Sequence, residues 1–524
     1  MSAPRTLALA ALGGLLLALS LPPWPGSTGT WLLGVVGAAV VFAAVDGRRM
    51  RARVAGGMAA GLGLYLPGLW WMRDFSLPGF VATVVVEAAI LALALALMPA
   101  ASRAGPGVRL AAFPAALVVA EAVRGAWPFG GLPLAGIELG QVAGPLGSVA
   151  RLGGRLLIVA LVGLAGAALA SAVRTVRPRS RDRPAGRQLV RPAVALALVV
   201  GATVGGAFAP DGQGADAGAG AGAGDTLTVA AVQGGGPRGL RAVGRDPGPV
   251  LQAHLRAAAT VGQGVDVVLW PEDVVDVAGV LAGSPEEAAL AGLAVTLRTT
   301  LVAGVVEDVD DDRFRNAAVV FGPDGRVIDR YDKVHRVPFG EYIPARSFIA
   351  RLADVSAVPR DAIAGRGPGV IDTPFGRLGV LISYEVFFQD RGRAAVRAGG
   401  RLLLVPTNAS SFNDAQVPAH ELAVARLRAI ETGRWVVQAA PTGYSAVVDH
   451  RGRVLARSGL GGASVLRHDV QLRVGRTLFV TFGPTPVLVV AAAILLGAWF
   501  GNRKPARWNS KFHKRVHAES SGQP

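Results

Sequence analysis

Residues 1–208 repeat one pattern, and it decides most of what the chain can fold into: apolar segments joined by loops that alternate between arginine-rich and nearly uncharged. The segments run near Leu7–Leu21, Trp31–Val45, Val54–Trp71, Phe80–Met98, Leu110–Val123, Leu156–Val173 and Ala193–Phe208. A membrane span takes about 20 such residues, so the ends of the shorter segments are set only to within a few positions. No small-x-small cleavage site follows the first segment and more spans come at once, so it reads as an anchor, not a signal peptide. The loop after the second segment holds Arg48, Arg49, Arg51 and Arg53, and the loop after the fourth holds Arg103 and Arg109. After the sixth come Arg174, Arg177, Arg179, Arg181, Arg183, Arg187 and Arg191. The loops between are poor in charge: Pro22–Thr30 has none, and Met72–Gly79 has only Arg73 and Asp74. Positive loops stay in the cytoplasm. The N-terminus is therefore expected inside, and whatever follows the seventh span outside.

Composition agrees. Only 17% of residues are charged and 51% are hydrophobic, where soluble chains carry about 25% charge. A net charge of +17 with pI near 11.3 would suit nucleic acid, but the arginines sit where the inside rule puts them. No nucleic-acid partner is expected. There is no cysteine, which excludes disulfides and thiolate metal sites. Glu87, Glu121 and Arg124 fall within or beside spans, where charge is costly, and are expected as structural partners inside the bundle. The loop Trp127–Gly140 is either re-entrant and substrate-facing or laid on the interface.

Residues 209–225 form a Gly/Ala-rich linker, and from 226 to 476 the pattern turns to alternating strands and helices. Strands are expected at Thr226–Gln233, Val265–Trp270, Leu301–Val306, Asn316–Phe321, Arg377–Ile382, Leu402–Val405 and Trp435–Ala440. A helix is expected at Glu421–Thr432 with Gly433 as its stop, and turns at Pro323–Gly325 and Asp449–Gly452. An eighth span, 477–500, precedes a basic tail, 501–524, suited to the cytoplasmic face and anionic lipid. Both ends inside leave an α/β domain of about 250 residues outside, tethered at both ends.

Three motifs in that domain carry chemistry. Leu269–Glu272 puts a carboxylate at the end of a buried strand. Tyr331–Lys333 holds the one lysine ahead of the C-terminal tail, in a chain that otherwise uses Arg for positive charge. An ammonium can be tuned where a guanidinium cannot. Gly379–Phe388 (GVLISYEVFF) starts as a buried strand and breaks at Ser383, Tyr384 and Glu385, where a nucleophile is held on a rigid rim; the ordinary alternative is a helix cap. Acyl transfer needs a nucleophile, a base and positive charge at the oxyanion. Ser383, Glu272 and Lys333 can supply them.

In this order, 61 and 50 residues apart, the three resemble the Glu–Lys–Cys triad of the carbon–nitrogen hydrolase (nitrilase) superfamily. YDKVHRVPFGEYIP (331–344), SYEVFF (383–388), Gln233-Gly234 and Thr407-Asn408, with seven spans before the domain and one after, look like the apolipoprotein N-acyltransferase branch. The resemblance implies a polytopic α-helical membrane domain with an extracytoplasmic nitrilase-like α-β-β-α sandwich in the cell membrane. It implies transfer of a fatty acyl chain from phospholipid to the N-terminal α-amino group of the diacylglyceryl-cysteine of apolipoproteins, through an acyl-enzyme and without metal or cofactor. Glu272 is then the general base, Lys333 stabilises the tetrahedral intermediate, Glu341 and Glu385 support the site, and Tyr384 flanks the nucleophile. Phe348–Val358 is a lid at the membrane surface or ordinary packing. Two departures stand out: Ser383 holds the family's cysteine position, and Gly236–Ala242 has no aromatic where relatives carry Trp. A Ser-based acyltransferase, a catalytically impaired relative that binds lipid or lipoprotein, a chain whose cysteine has been exchanged for Ser, and a membrane-tethered amidase are the open readings.

Overall fold

The computed structural model describes residues 2–24, 30–176, 185–214, 226–239, 248–351 and 354–500. The expected tail (501–524), most of the linker (215–225) and Leu240 to Ala242 lie outside the described residues, as do two positions of the expected lid, 352–353.

The first part is a helical bundle: α1 (Ala3–Ser20), α2 (Trp31–Val45), α3 (Met50–Gly68), α4 (Leu77–Ala96), α5 (Pro106–Arg124), α6 (Ala150–Val176) and α7 (Ala185–Phe208). They fall on the seven expected segments. Among the described residues five are long and apolar enough to cross a membrane, namely α1, α4, α5, α6 and α7. The apolar α2 has 15 residues, and α3 starts on Arg51 and Arg53. Close packing depends on small residues: a Cβ at Gly14 would stand 1.9 Å from the Ala60 carbonyl oxygen, so α1 and α3 meet backbone to backbone only with glycine there.

The bundle's charges are partnered, as expected. Buried Arg124 pairs with Glu87 and donates to both Glu121 oxygens at 2.8 Å. Arg155 Nη1 lies 3.2 Å from Glu121 and 3.2 Å from Glu138.

The second part is a sandwich of two sheets. In the first, β1 (Thr226–Gln233) runs parallel to β2 (Val267–Leu269), and β2 to β3 (Thr300–Asp310). β4 (Arg313–Phe321) and β5 (Val327–Asp332) continue antiparallel through the Pro323–Gly325 turn. In the second sheet, β6 (Val370–Thr373), β7 (Gly376–Val380), β8 (Leu403–Pro406), β9 (Val436–Ala439), β10 (Ala446–Val448) and β11 (Val454–Arg457) lie side by side in that order. A twelfth strand, β12 (Ser464–Gln471), closes the first sheet against β1.

Successive strand residues face opposite ways, and the two-sided apolar runs follow from that. Val267 and Leu269 join Leu402, Leu404 and Val437 in the core between the sheets. Val268 and Trp270 face the other way, toward α8 (Gly248–Ala258) and α9 (Pro285–Leu297). Leu403, Val405 and Val436 face α11 (Gln416–Thr432), which follows α10 (Gln389–Arg397). The core under α11 is continuous with the bundle's. One helix is thus clamped between sheet and bundle, and Arg155 N donates to its Glu431 at 2.9 Å.

Three expectations need correction. The eighth apolar segment is not one helix: Gly483 at φ +67, followed by Pro484, splits it into α12 (Leu478–Phe482) and α13 (Thr485–Phe500). The helix after Ser383 is delayed, because Ser383–Phe387 is a 3₁₀ turn and α10 begins only at Gln389. The helix expected at Glu421 starts earlier, at Gln416, and ends at Gly433 as expected.

Candidate active site

Glu272, Lys333 and Ser383 all stand just beyond strand ends. β2 ends at Leu269, Pro271 removes a ladder donor, and Glu272 follows, 5% exposed. β5 ends at Asp332, and the Lys333 amide donates to the Asn316 carbonyl at 2.9 Å. Lys333 Nζ lies 2.7 Å from Glu272 Oε1 and 2.5 Å from Glu341 Oε1. Asn316 Nδ2 donates to the same two carboxylates, at 2.8 and 3.2 Å. The second Glu341 oxygen accepts from the Val337 amide at 2.8 Å, which folds the Val337–Glu341 loop onto the cluster.

Two carboxylates thus share one ammonium. Burial by itself would depress the Lys333 ammonium, but Glu272 and Glu341 outweigh it and hold it well above its ordinary value. Lys333 stays charged. For Glu272 burial is the largest influence: it raises the carboxyl above the ordinary range, the Lys333 ammonium pulls the other way without reversing it, and the Glu341 charge adds to the rise. A carboxylate raised toward neutrality is a better proton acceptor at working pH.

Ser383 has φ +49, a left-handed backbone that costs a non-glycine residue about 1–3 kcal/mol. It is 7% exposed, and among the described residues its hydroxyl has no hydrogen-bond partner. The cap alternative is therefore not what this hydroxyl does. The strain is held by Glu385, fully buried two residues on. Its carboxylate accepts from the Ile382 amide at 2.9 Å, the Val334 amide at 2.8 Å, the His335 amide at 3.1 Å and the Tyr331 hydroxyl at 2.8 and 3.0 Å. One side chain ties the Ser383 turn to the residues immediately after Lys333, and so links the end of β7 to the end of β5 across the two sheets. Glu385→Gln puts an N–H₂ where donors converge. It is expected to cost about 1–3 kcal/mol and to lower kcat more than it raises KM; an unchanged thermal midpoint and kcat would remove Glu385 from this role.

Tyr384, buried beside Ser383, donates its hydroxyl to the Gly131 carbonyl at 2.9 Å. Gly131 lies in the loop after α5, so part of Trp127–Gly140 is packed onto the α/β domain next to the Ser383 turn. The same loop meets the Lys333 region: the Phe129 and Phe339 rings stand edge to face at 5.6 Å, and both residues have positive φ. In the expected lid, Phe348 is 58% exposed, and Arg346 ties the segment's base to Asp361 at 2.5 Å.

Of the six expected site residues Glu272, Lys333 and Glu341 meet directly, Glu385 ties the chain beside Lys333 to the chain beside Ser383, and Tyr384 faces the bundle instead. Asn316, in β4, was missed, since its partners Glu272 and Glu341 are distant in sequence. Glu421 was missed too: buried on α11, it accepts from the Thr407 hydroxyl at 2.9 Å, and burial pushes its carboxyl up to about 8. Gln233 proves structural, since Ser445 and Ser458 donate to it at 2.9 and 2.8 Å. In the segment lacking the expected aromatic, Arg238 reaches the Phe412 and Asp414 carbonyls.

Residues 228–478 match the carbon–nitrogen hydrolase family, and residues 13–168 match the apolipoprotein N-acyltransferase N-terminal domain. The apolipoprotein N-acyltransferase of Sinorhizobium medicae is 30% identical over 87% of this chain and 88% of its own length. That of Vibrio vulnificus is 25% identical over 94% of this chain and 97% of its own. Among solved structures, Nit3 of Saccharomyces cerevisiae, a nitrilase-superfamily member, shares 24% identity at a TM-score of 0.37, over 47% of this chain and 90% of that one.

Proposed function

The chain belongs to the apolipoprotein N-acyltransferase family within the carbon–nitrogen hydrolases, and from that premise we propose that it passes a fatty acyl chain from membrane phospholipid to the N-terminal amine of a diacylated apolipoprotein, with Ser383 as the acyl carrier. It is an acyltransferase of lipoprotein maturation; the assignment of residues to steps is ours. Ser383 Oγ attacks the phospholipid ester carbonyl while Glu272 takes the hydroxyl proton. The oxyanion forms beside the Lys333 ammonium, and the lysophospholipid oxygen leaves with the proton from Glu272. The acceptor amine then attacks the Ser383 ester, Glu272 takes the amine proton, and that proton returns to Ser383 Oγ as the amide departs. The acceptor gains one amide bond and the enzyme is regenerated.

One observation carries the reading: the residue next to the nucleophile is bonded to the bundle, through Tyr384 and Gly131. A soluble amide needs no such attachment to a helical bundle. The test is transfer of a labelled acyl chain from phospholipid to a diacylated lipopeptide. Glu272→Gln is expected to lower it by about 10²–10⁴; undiminished transfer would sink the assignment.

Because only ionised Glu272 accepts a proton, the rate is lost as pH falls through its carboxyl's pKa. That pKa is raised by burial from 4.5, so the acid limb of kcat/KM is expected above 4.5. A rate level to lower pH would exclude Glu272 as the base.

We further place both chain ends in the cytoplasm and the α/β domain outside, with eight spans counted from α1–α7 and α13; the alternating arginine loops support this. The native chain has no cysteine, so single cysteines report cleanly. A cysteine at exposed Asp311 is expected to react with an impermeant maleimide on intact cells, and one at exposed Ser102 only after permeabilisation. The reverse pattern would invert the topology.

A further inference from the structure

A second lipid-sized site lies far from the chemistry. The Phe75 ring, just before α4, stands 5.5 Å from Phe412 of the α/β domain, and 20 helical residues carry α4 about 30 Å away to Leu97. There α4, α5 and α13 enclose a groove of about 780 Å³, within the usual range of ligand pockets. Its walls are apolar, Val119, Leu495 and Leu496 among them, and among the described residues Arg103 is the one charged residue lining it. Trp499 forms the floor of that charged end: its indole N–H donates to the Leu97 carbonyl at 2.5 Å, and the Arg103 guanidinium stands 5.0 Å over its ring. The ring is therefore fixed, with the cation held at the mouth.

We propose that this groove binds one anionic phospholipid of the leaflet opposite the α/β domain, its phosphate at Arg103 and its acyl chains between α5 and α13. Charge complementarity selects the occupant. The two loops at this rim, 46–53 and 97–109, carry Arg48, Arg49, Arg51 and Arg103 beside Arg109, which pairs with Asp46 at 2.8 Å, and Arg53, which is buried and donates to the Arg48, Leu95 and Ala96 carbonyls. Clustered arginine next to a membrane surface attracts anionic headgroups. A second groove, about 320 Å³ between α2 and α7 and lined by Trp31, has no charged lining residue, so it provides a built-in comparison without headgroup selection.

The test uses the full chain in zwitterionic nanodiscs containing a minor fraction of lipid brominated on its acyl chain, either phosphatidylglycerol or phosphatidylcholine. Quenching of Trp499 is read as the signal lost in Trp499→Phe, and that of Trp31 as the signal lost in Trp31→Phe. Phosphatidylglycerol is expected to quench Trp499 several-fold more than phosphatidylcholine at equal mole fraction, with no such preference at Trp31. Arg103→Gln is expected to remove the preference and leave acyl transfer intact. Should Trp499→Phe not fold, mass spectrometry of the intact complex from mixed nanodiscs decides: retained phosphatidylglycerol, lost in Arg103→Gln. Equal quenching by both lipids would mean ordinary boundary lipid. Quenching by neither, with no lipid retained, would mean a groove filled by the chain's own tail. Either result overturns the proposal.

Discussion

Lys333→Met is expected to abolish acyl transfer and to weaken the fold, by separable routes. Removing the ammonium takes away the charge that meets the oxyanion, a loss of about 10²–10³ in rate. It also leaves Glu272 and Glu341, which now lie 2.7 and 2.5 Å from Nζ, buried together without their cation. Breaking a buried pair in this way costs about 3–5 kcal/mol. The two carboxylates answer by taking up a proton, so their pKa in the folded variant lies above the unfolded value. Stability is therefore regained as pH falls through that raised value and lost as it rises. Adding Glu341→Gln removes one of the opposed charges. The double variant is expected to recover much of the thermal midpoint and none of the activity. Recovery of both, or a Lys333→Met protein as stable as the parent at neutral pH, would show that the cluster is not the charge-balanced unit described.

Ser383→Cys is expected to accelerate transfer by roughly 10- to 100-fold. A thiol ionises near 8.5, whereas a serine hydroxyl depends wholly on the base in the transition state, and here the base is one carboxylate. The carrier bond matters as well. A serine ester lies close in energy to the phospholipid ester it comes from, so little drives the first step and the amide formed in the second supplies the driving force; a thioester is the better acyl donor to an amine. The left-handed turn at Ser383 and its anchorage through Glu385 involve only main-chain geometry and the neighbour, so cysteine fits without rearrangement. Equal rates for the two nucleophiles would mean that formation of the acyl-enzyme does not limit turnover. Ser383→Ala is expected to be inactive.

What could be read from the chain, and what could not, divides along physical lines. The sandwich was legible because runs such as Leu402–Val405 are apolar on both faces, and both faces are in fact covered, one by the opposite sheet and one by α11. Glu272, Lys333 and Ser383 were legible because each follows such a run abruptly. Asn316 was harder: its partners are 25 and 44 positions away, and nothing local distinguishes a site amide from a tolerated one. The contact between Tyr384 and Gly131 spans 253 positions and depends on how bundle and sandwich dock, which no periodicity reports. The break in the last apolar segment was visible only as Gly483-Pro484 inside an unbroken hydropathy pattern. Hydropathy records burial in lipid; it does not record whether one helix or two are buried.

The docking also explains why a nitrilase-like sandwich suits a lipid substrate. α11 is shared between the second sheet and the bundle, so the rim bearing Ser383 is held against the helices by packing. Arg124 adds a polar tie: it pairs with Glu87 and Glu121 and donates to the Leu134 carbonyl at 2.5 Å, fixing the loop that ends on Tyr384. The position of Ser383 relative to the bundle is therefore set by buried charge and by a hydrogen bond.

Whether Ser383 carries the acyl group is decided by the intact mass of the chain after incubation with phospholipid and no acceptor. A mass increase of one acyl group that maps to Ser383, disappears in Ser383→Ala and is discharged by a diacylated lipopeptide is the predicted result. No adduct on the native chain, alongside a stable one on Ser383→Cys, would contradict it: the pocket would be that of an acyltransferase, and serine would not be its nucleophile.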